Sequence, residues 1–377
     1  MKIAVILGQF SIGARPLDFH FENIWTSSRG LTGTDLTFVA IASELRKRSH
    51  DVSLFTVMAQ PHHKPDWWEG VRLYNFDEIP TIIDDTFDVV ISINEPDVLR
   101  LLKTSKPLRV CWDMLNDFTY CIPGFDDFVD QWLGVCEMHT NHLKNQAGNH
   151  HKWDTLFLGC SPELYQDNRV PGRIVWTSSA DRGLHWLLSV FPKIKKAVPE
   201  AHLKIFYHFN YGDIDKIEPD AQNIIHHTVE MANRLRYIKN GIARLKHLGV
   251  EHIGSVSRRE MQKQFSEASV LAYPSDPVAF SEGYSVSILE GHASFTVPVI
   301  TDADCLGSIY KNSGSVMVPG PMKNNLEAYT DAVIKSLTDH DFANKTIEAC
   351  RQFASQRTWG TVAENMEKII KNHPKMH

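Results

Sequence analysis

Two carboxylates, Glu282 and Glu290, stand eight positions apart in the stretch SEGYSVSILE, soon after the apolar run Val270–Tyr273 and Pro274. Read as a helix start, the stretch has Ser285 or Ser287 as its cap and Val286, Ile288 and Leu289 as its buried face. The amides of Gly283, Tyr284 and Ser285 then point at whatever lies beyond the N-terminus. Unpaired amides and the helix dipole together favour an anion. Along a continuous helix the two glutamates would be separated by about 12 Å and turned by roughly 80°. A ligand touching both is therefore long, with an anionic middle and hydroxyl groups at either end for the carboxylates to accept from. A nucleotide diphosphate sugar has that form: hexose, diphosphate, ribose. The spacing alone is weak, and its context has to decide.

Two further stretches supply context. In TSSADRGL (177–184), Arg182 precedes Gly183 between an expected strand and helix. Its guanidinium can fork onto phosphate oxygens and offset the charge of a departing nucleotide; pairing with Asp181 or simple solvation is the alternative. Ser178 and Ser179 beside it offer neutral donors. In RGLTGTDLT (29–37), Gly30 and Gly33 precede the first long helix and permit close backbone approach to a phosphate or sugar.

The elements that must position these residues follow a strand–helix rhythm. Strands are expected at Lys2–Leu7, Asp51–Val57, Val71–Tyr74, Val89–Ile93 and Arg109–Trp112, with an amphipathic helix in TDLTFVAIASELRKRSH between the first two. The pattern restarts near residue 168, with strands at 172–179, 203–209, 251–256, 269–275 and 296–302. This predicts an α/β protein of two Rossmann-like β/α/β domains facing across a cleft, with ligands beyond the strand C-termini. The expected domains are 1–167 and 168–355, and a C-terminal helix over about 356–377 crosses back to the first, anchored by Trp359. The loop from Gln9 to Leu31 is long and aromatic, as functional loops often are.

The bulk numbers narrow the function. The chain has 377 residues, enough for two domains, with 43% hydrophobic and 22% charged residues. A net charge of −6 argues against a nucleic-acid partner. The opening MKIAVILGQF is too short an apolar run for a signal peptide and reads as a buried strand. No run reaches the roughly 18 apolar residues of a membrane span. Six scattered cysteines, without a zinc spacing, fit a reducing compartment. The HH pairs at 62–63, 150–151 and 226–227 match no ligand pattern and read as surface residues. The expectation is a cytoplasmic protein, with peripheral membrane contact left open.

Together these stretches resemble the GT-B glycosyltransferases, and within them the family-4 retaining enzymes. SEGYSVSILEGHASFTVPVITD looks like the family's E-x7-E element, and TSSADRGLHWLLSVFPKIKKAVPEAHLKIFY, HIGSVSRREMQKQFSEASVLAYPS, GLTGTDLTFVAIASELRKRSHDVSLFT and LGCSPELY carry the rest of the likeness. The resemblance implies a nucleotide-sugar donor held mainly by the second domain and a glycan, lipid-linked or small-molecule acceptor held mainly by the first. Glu282 would contact the donor sugar, Glu290 the ribose, and Arg182 stands for the family's lysine. Thr177 stands where the family has a second basic residue, and Asp35 replaces a glutamate. On the acceptor side the resemblance points to Asp113, Asp117 and His139. It also implies no metal and no cofactor beyond the donor. DAD at 302–304 mimics the metal-binding DxD of another fold but falls in a connecting loop.

Other readings are an inverting transferase, a nucleotide-sugar epimerase, or a nucleotide-sugar-binding module without turnover. A dinucleotide oxidoreductase is disfavoured, because neither sheet opens with GxGxxG.

Overall fold

A computed structural model of the chain describes residues 1–8, 20–58, 66–147, 152–207 and 226–377. The HH pairs at 62–63 and 150–151 and most of the first half of the Gln9–Leu31 loop lie outside the described residues, as do the side chains of His226 and His227. Two compact units result: Met1–Ser27, Leu31–Gly159 and Arg357–His377 form the first, and Ser28–Gly30 with Cys160–Gln356 the second.

The first unit is built on β1 (Lys2–Leu7), α1 (Gly33–Lys47), β2 (Asp51–Thr56), β3 (Trp67–Trp68), β4 (Val71–Asn75), α2 (Ile79–Ile82), β5 (Val89–Ile93), β6 (Leu108–Trp112), β7 (Gln131–Gly134), α3 (Glu137–Ala147) and β8 (Lys152–Thr155). Its strands run β3-β4-β2-β1-β5-β6-β7-β8, parallel except for the β3–β4 pair. All five residues of β5 are buried, as a central strand covered on both faces requires. α1 begins with a capping box: Thr32 Oγ1 accepts from the Asp35 amide, and Asp35 Oδ2 accepts from the Thr32 amide. Its last turn carries Arg46 and Lys47, where the dipole favours cations. The strands β3, β7 and β8 were absent from the sequence-based expectation; they are two to four residues long and carry polar residues such as Gln131 and Asp154.

The second unit comprises β9 (Arg173–Trp176), α4 (Leu184–Ala197), β10 (His202–Phe206), α5 (His226–Leu245), β11 (Val250–Gly254), α6 (Arg258–Glu267), β12 (Val270–Tyr273), α7 (Val286–Ala293), β13 (Val297–Thr301), α8 (Leu306–Tyr310), β14 (Val316–Val318), α9 (Met322–Thr338) and α10 (His340–Ser355). Its parallel sheet runs β11-β10-β9-β12-β13-β14. The helices bury apolar faces on this sheet; Leu184, Leu187, Leu188, Phe191 and Ile194 of α4 sit in its core.

The chain then returns. α11 (Trp359–Lys371) packs on α1, burying Val362, Met366 and Ile370. Glu367 on α11 pairs with Arg48, whose Nη2 lies 3.3 Å away, and with His50 at 3.0 Å. Trp359 packs so closely on Gly159 that a Cβ there would lie 2.7 Å from its ring. The helix therefore crosses back to the first unit, as expected.

Each sheet has an internal switch point, between β1 and β5 in the first and between β9 and β12 in the second. Ligands of open α/β sheets bind beyond the strand C-termini at such points. Arg182 and Glu282 follow β9 and β12, so the fold brings them to one place.

Candidate active site

The second switch point is held shut by backbone. Gly183 has φ +107°, and a Cβ there would fall 1.9 Å from the Pro274 carbonyl oxygen. Only glycine lets the turn after β9 lie against the turn after β12. Gly30 makes a similar approach: its φ is +71°, and a Cβ would lie 2.5 Å from the Val256 carbonyl oxygen.

Glu282 is 5% exposed. Arg182 Nη1 and Tyr273 Oη both lie 2.5 Å from its Oε2. Tyr273 Oη also lies 2.8 Å from Ser178 Oγ, and burial beside the Glu282 carboxylate holds the phenol well above its ordinary range. Glu282 Oε1 has no hydrogen-bond partner among the described residues and is not sealed from solvent.

Glu290 repeats the construction. Arg258 Nη2 and Tyr165 Oη both reach its Oε1, the tyrosine at 2.9 Å, and Oε2 has no partner among the described residues. Arg258 opens α6 and is itself buried; Tyr165 lies near the start of the second unit's main segment, Cys160–Gln356. Neither was singled out from sequence, nor was Tyr273. Their only sequence signal is a basic or phenolic residue beside a strand or helix end, too common to read without the fold.

The stretch between the glutamates departs from the expectation. The helix starts at Val286 with Ser285 in the N-cap position, one of the two caps expected, so Glu282 lies outside the helix and Glu290 in its second turn. The continuous-helix geometry of 12 Å and 80° therefore does not apply. The break is Ser285, a non-glycine residue at φ +65°, ψ +92°, with no side-chain cap. Such conformations cost about 1–3 kcal/mol and cluster at ligand clamps. Tyr310 braces the strain by donating to the carbonyls of Tyr284 and Ser285. Ser287 does not cap either; its hydroxyl donates to the Thr177 carbonyl at 2.8 Å, tying α7 to the turn after β9. The first-turn amides of α7 lack intrahelical acceptors, as in any helix.

Asp304 of the DAD segment has a structural task. Its Oδ2 accepts from the amides of Ser281 and Glu282, both at 2.9 Å, and so fixes the backbone that carries Glu282. Among the described residues no cluster of three or more His, Cys, Asp or Glu is arranged to hold a metal ion.

The acceptor-side candidates lie in the first unit. Asp113 follows β6 and is fully buried; Oδ1 accepts from the Leu115 amide at 2.8 Å, while Oδ2 is sealed without a partner among the described residues. Burial pushes its carboxyl well above the usual range, which favours the neutral acid. Asp117 is exposed and accepts from the amide and hydroxyl of Thr119. His139 is buried with both ring nitrogens taken: Nδ1 accepts from the Val135 amide, so Nε2 carries the proton and donates to the Leu115 carbonyl. Burial lowers its pKa to about 4, and it holds the chain after Asp113 in place rather than presenting a free base. Asn94, unnoticed in the sequence, stands at φ +65° after β5 and accepts from the Met114 amide. Gly33 is the first residue of α1, its carbonyl accepting from Thr37.

With this geometry fixed, the chain can be set beside known proteins. No protein-family model and no curated protein matches it. Solved structures do. A trehalose-6-phosphate synthase, OtsA, superposes with a TM-score of 0.73 at 9% identity over 99% of each chain. The sucrose-phosphate synthase of Thermosynechococcus elongatus gives 0.69 at 12% identity over 98% of each. The Anabaena protein HepE, solved with UDP and glucose, gives 0.66 at 13% identity over 98% of this chain and 99% of that one. The fold is GT-B. At these identities the likeness speaks of fold alone. Among the described residues no helix is long and apolar enough to cross a membrane.

Proposed function

We propose that the protein is a glycosyltransferase that moves a sugar from a nucleotide-diphosphate sugar to an acceptor hydroxyl, with retention of configuration and without a metal ion. One observation carries the reading: two buried glutamates at the second switch point each have one oxygen locked by an arginine and a tyrosine and the other oxygen open. Open carboxylate oxygens are acceptors for hydroxyl groups, and the flanking guanidinium and helix-start amides favour an anion between them. The GT-B fold supports it, as does a neighbour solved with UDP and glucose.

In this reading the second unit, taken from sequence as 168–355, binds the donor. Glu282 Oε1 meets a hydroxyl of the sugar, and Glu290 Oε2 the ribose. Arg182, whose side chain is 22% exposed, shares its charge between Glu282 and the diphosphate. Gly283, Tyr284 and Ser285 line the strained approach to α7, and Ser178 and Ser179 flank Arg182. As the glycosidic bond breaks, negative charge collects on the leaving phosphate, where Arg182 and the amides of the first turn stabilise it. The acceptor hydroxyl attacks from the same face and passes its proton to that phosphate. The first unit holds the acceptor, with Asp113 and Asp117 the residues nearest that task and His139 supporting them. A cytoplasmic enzyme acting on a glycan, lipid-linked or small-molecule acceptor fits this scheme.

The test is donor turnover. Incubation with UDP-, GDP- and ADP-sugars should yield free nucleotide and a product retaining the anomeric configuration, and Glu282→Ala should cut turnover at least a hundredfold. Wild-type rates in that variant would remove the central claim.

A further inference from the structure

Arg258 meets Glu290 in an unusual way. Arginine commonly grips a carboxylate with two parallel N–H···O bonds. Here a single nitrogen, Nη2, reaches Oε1, and Tyr165 Oη lands on that same oxygen. Arg258 Nε is left buried without a partner among the described residues. An unpaired buried donor is unfavourable, so a two-pronged contact would be the more stable arrangement for folding alone. That contact, however, would occupy both oxygens of Glu290. The one-sided contact instead leaves Oε2 available while the buried carboxylate keeps its counter-charge. Arg182 likewise meets Glu282 through Nη1 on Oε2.

We infer that Arg258 and Tyr165 are positioning residues that hold Glu290 as an ionised carboxylate with one oxygen turned to the vicinal diol of the nucleotide's ribose, and so set selectivity for ribonucleotides over 2′-deoxyribonucleotides. This rests on the donor-site reading above and deepens it. Neither residue needs to touch the ligand. Tyr165 fixes the side-chain rotation by its hydrogen bond, and Arg258 keeps the group charged. A charged acceptor gains more from a hydroxyl than a neutral one, on the order of tenfold or more in affinity per bond.

The experiment uses the full chain and isothermal titration. UDP, GDP and ADP are compared first, and the tightest binder is then set against its 2′-deoxy counterpart. The wild type should prefer the ribonucleotide at least tenfold. Tyr165→Phe and Arg258→Gln should lose most of that preference by weakening the ribonucleotide while leaving the deoxynucleotide nearly unchanged; Arg258→Lys, which keeps the charge, should recover part of it. A merely structural role would weaken both nucleotides alike, and that result overturns the inference while the donor-site reading stands. An unchanged ratio in folded variants overturns it equally. If no nucleoside diphosphate binds the wild type, the donor-site reading itself fails. Should Arg258→Gln not fold, Tyr165→Phe alone decides between these results.

Discussion

Arg182 and Glu282 are 100 positions apart in the chain, yet a guanidinium nitrogen of one lies 2.5 Å from a carboxylate oxygen of the other. The contact joins the turn after β9 to the turn after β12, the two strands between which the second sheet reverses. A buried pair of this kind is weak evidence for stability, since desolvation offsets much of its attraction. Its place at a switch point, with one carboxylate oxygen open, makes function the better explanation. Arg182→Met should therefore reduce kcat by about a hundredfold to a thousandfold, the range for losing a donor to developing charge. Loss of the counter-charge of Glu282 should also lower stability, by about 1–3 kcal/mol. Steady-state kinetics and urea unfolding of the same variant check both; an active, merely destabilised enzyme would refute the catalytic role.

Gly183 holds that geometry together. With φ at +107° and the Pro274 carbonyl where a Cβ would be, Gly183→Ala forces the two turns apart. The expected cost is at least 2–3 kcal/mol, from strain at positive φ together with the clash. Because the displaced turns carry Arg182 and Glu282, nucleotide binding should fall with stability. Denaturant midpoints and nucleotide titrations should move together; a variant as stable as wild type would contradict the close approach.

Much of this was legible in the chain, for physical reasons. Central strands of parallel sheets are covered on both faces, so KIAVIL, VVISI and VPVIT announce themselves as mainly apolar runs, each with a single polar residue. Short strands such as Gln131–Gly134 carry no such signal and were missed. The glutamate stretch was recognisable, but its shape was not. Nothing in the types of residues 282–290 says that Ser285 adopts a left-handed backbone, so a continuous helix was the natural reading. The partners of the glutamates were hidden for another reason. Tyr165, Arg258 and Tyr273 are brought to them by sheet order, from 125, 32 and 9 positions away. Asp304 was legible only as part of a connecting loop; that its carboxylate accepts from two amides ahead of Glu282 is visible in the fold alone.

His139 makes stability depend on pH. Burial lowers its pKa to about 4 from an unfolded value near 6.5, so between those values the unfolded chain binds more protons. Its contribution is fully present above pH 6.5 and is lost as pH falls towards 4. The size is on the order of 3 kcal/mol across that window. His185, lowered to about 3 by burial and by Arg234, acts in the same direction. Urea unfolding at pH 7.5 and 5 should show the loss, and His139→Gln should flatten the slope. An unchanged slope would mean that His139 binds protons alike in the folded and unfolded chain and that other groups set the pH dependence.

Glu367 gives the returning helix a separate acid sensitivity. Its hydrogen bonds to Arg48 and then to His50 and Lys371 hold its pKa near 2, against burial. A carboxyl lowered in the folded state stabilises above its unfolded value near 4.5, and that stabilisation disappears as pH falls towards 2. Arg48 is about one-third exposed, so solvent screening reduces the contribution to about 1–2 kcal/mol. Glu367→Gln should be less stable than wild type by that amount at pH 7, with most of the difference gone near pH 2.5. A constant difference at both pH values would assign the effect to packing of α11 instead.

Thr177 separates folding from ligand binding most directly. Its carbonyl accepts from Ser287, but its hydroxyl oxygen is sealed without a partner among the described residues. Replacing an unpartnered buried hydroxyl by a methyl removes a polar group that gains nothing in the fold. Thr177→Val should therefore be as stable as wild type or more so, by up to about 1 kcal/mol. The position lies one residue before Ser178, in the turn that carries Arg182. If its hydroxyl rotates onto a donor phosphate when the site fills, the variant should show a severalfold higher KM for the nucleotide sugar at a nearly unchanged kcat. Thermal unfolding with and without nucleotide reads both at once. The ligand-free midpoint should hold or rise, and the shift produced by nucleotide should shrink; an undiminished shift would leave Thr177 with no part in holding the donor.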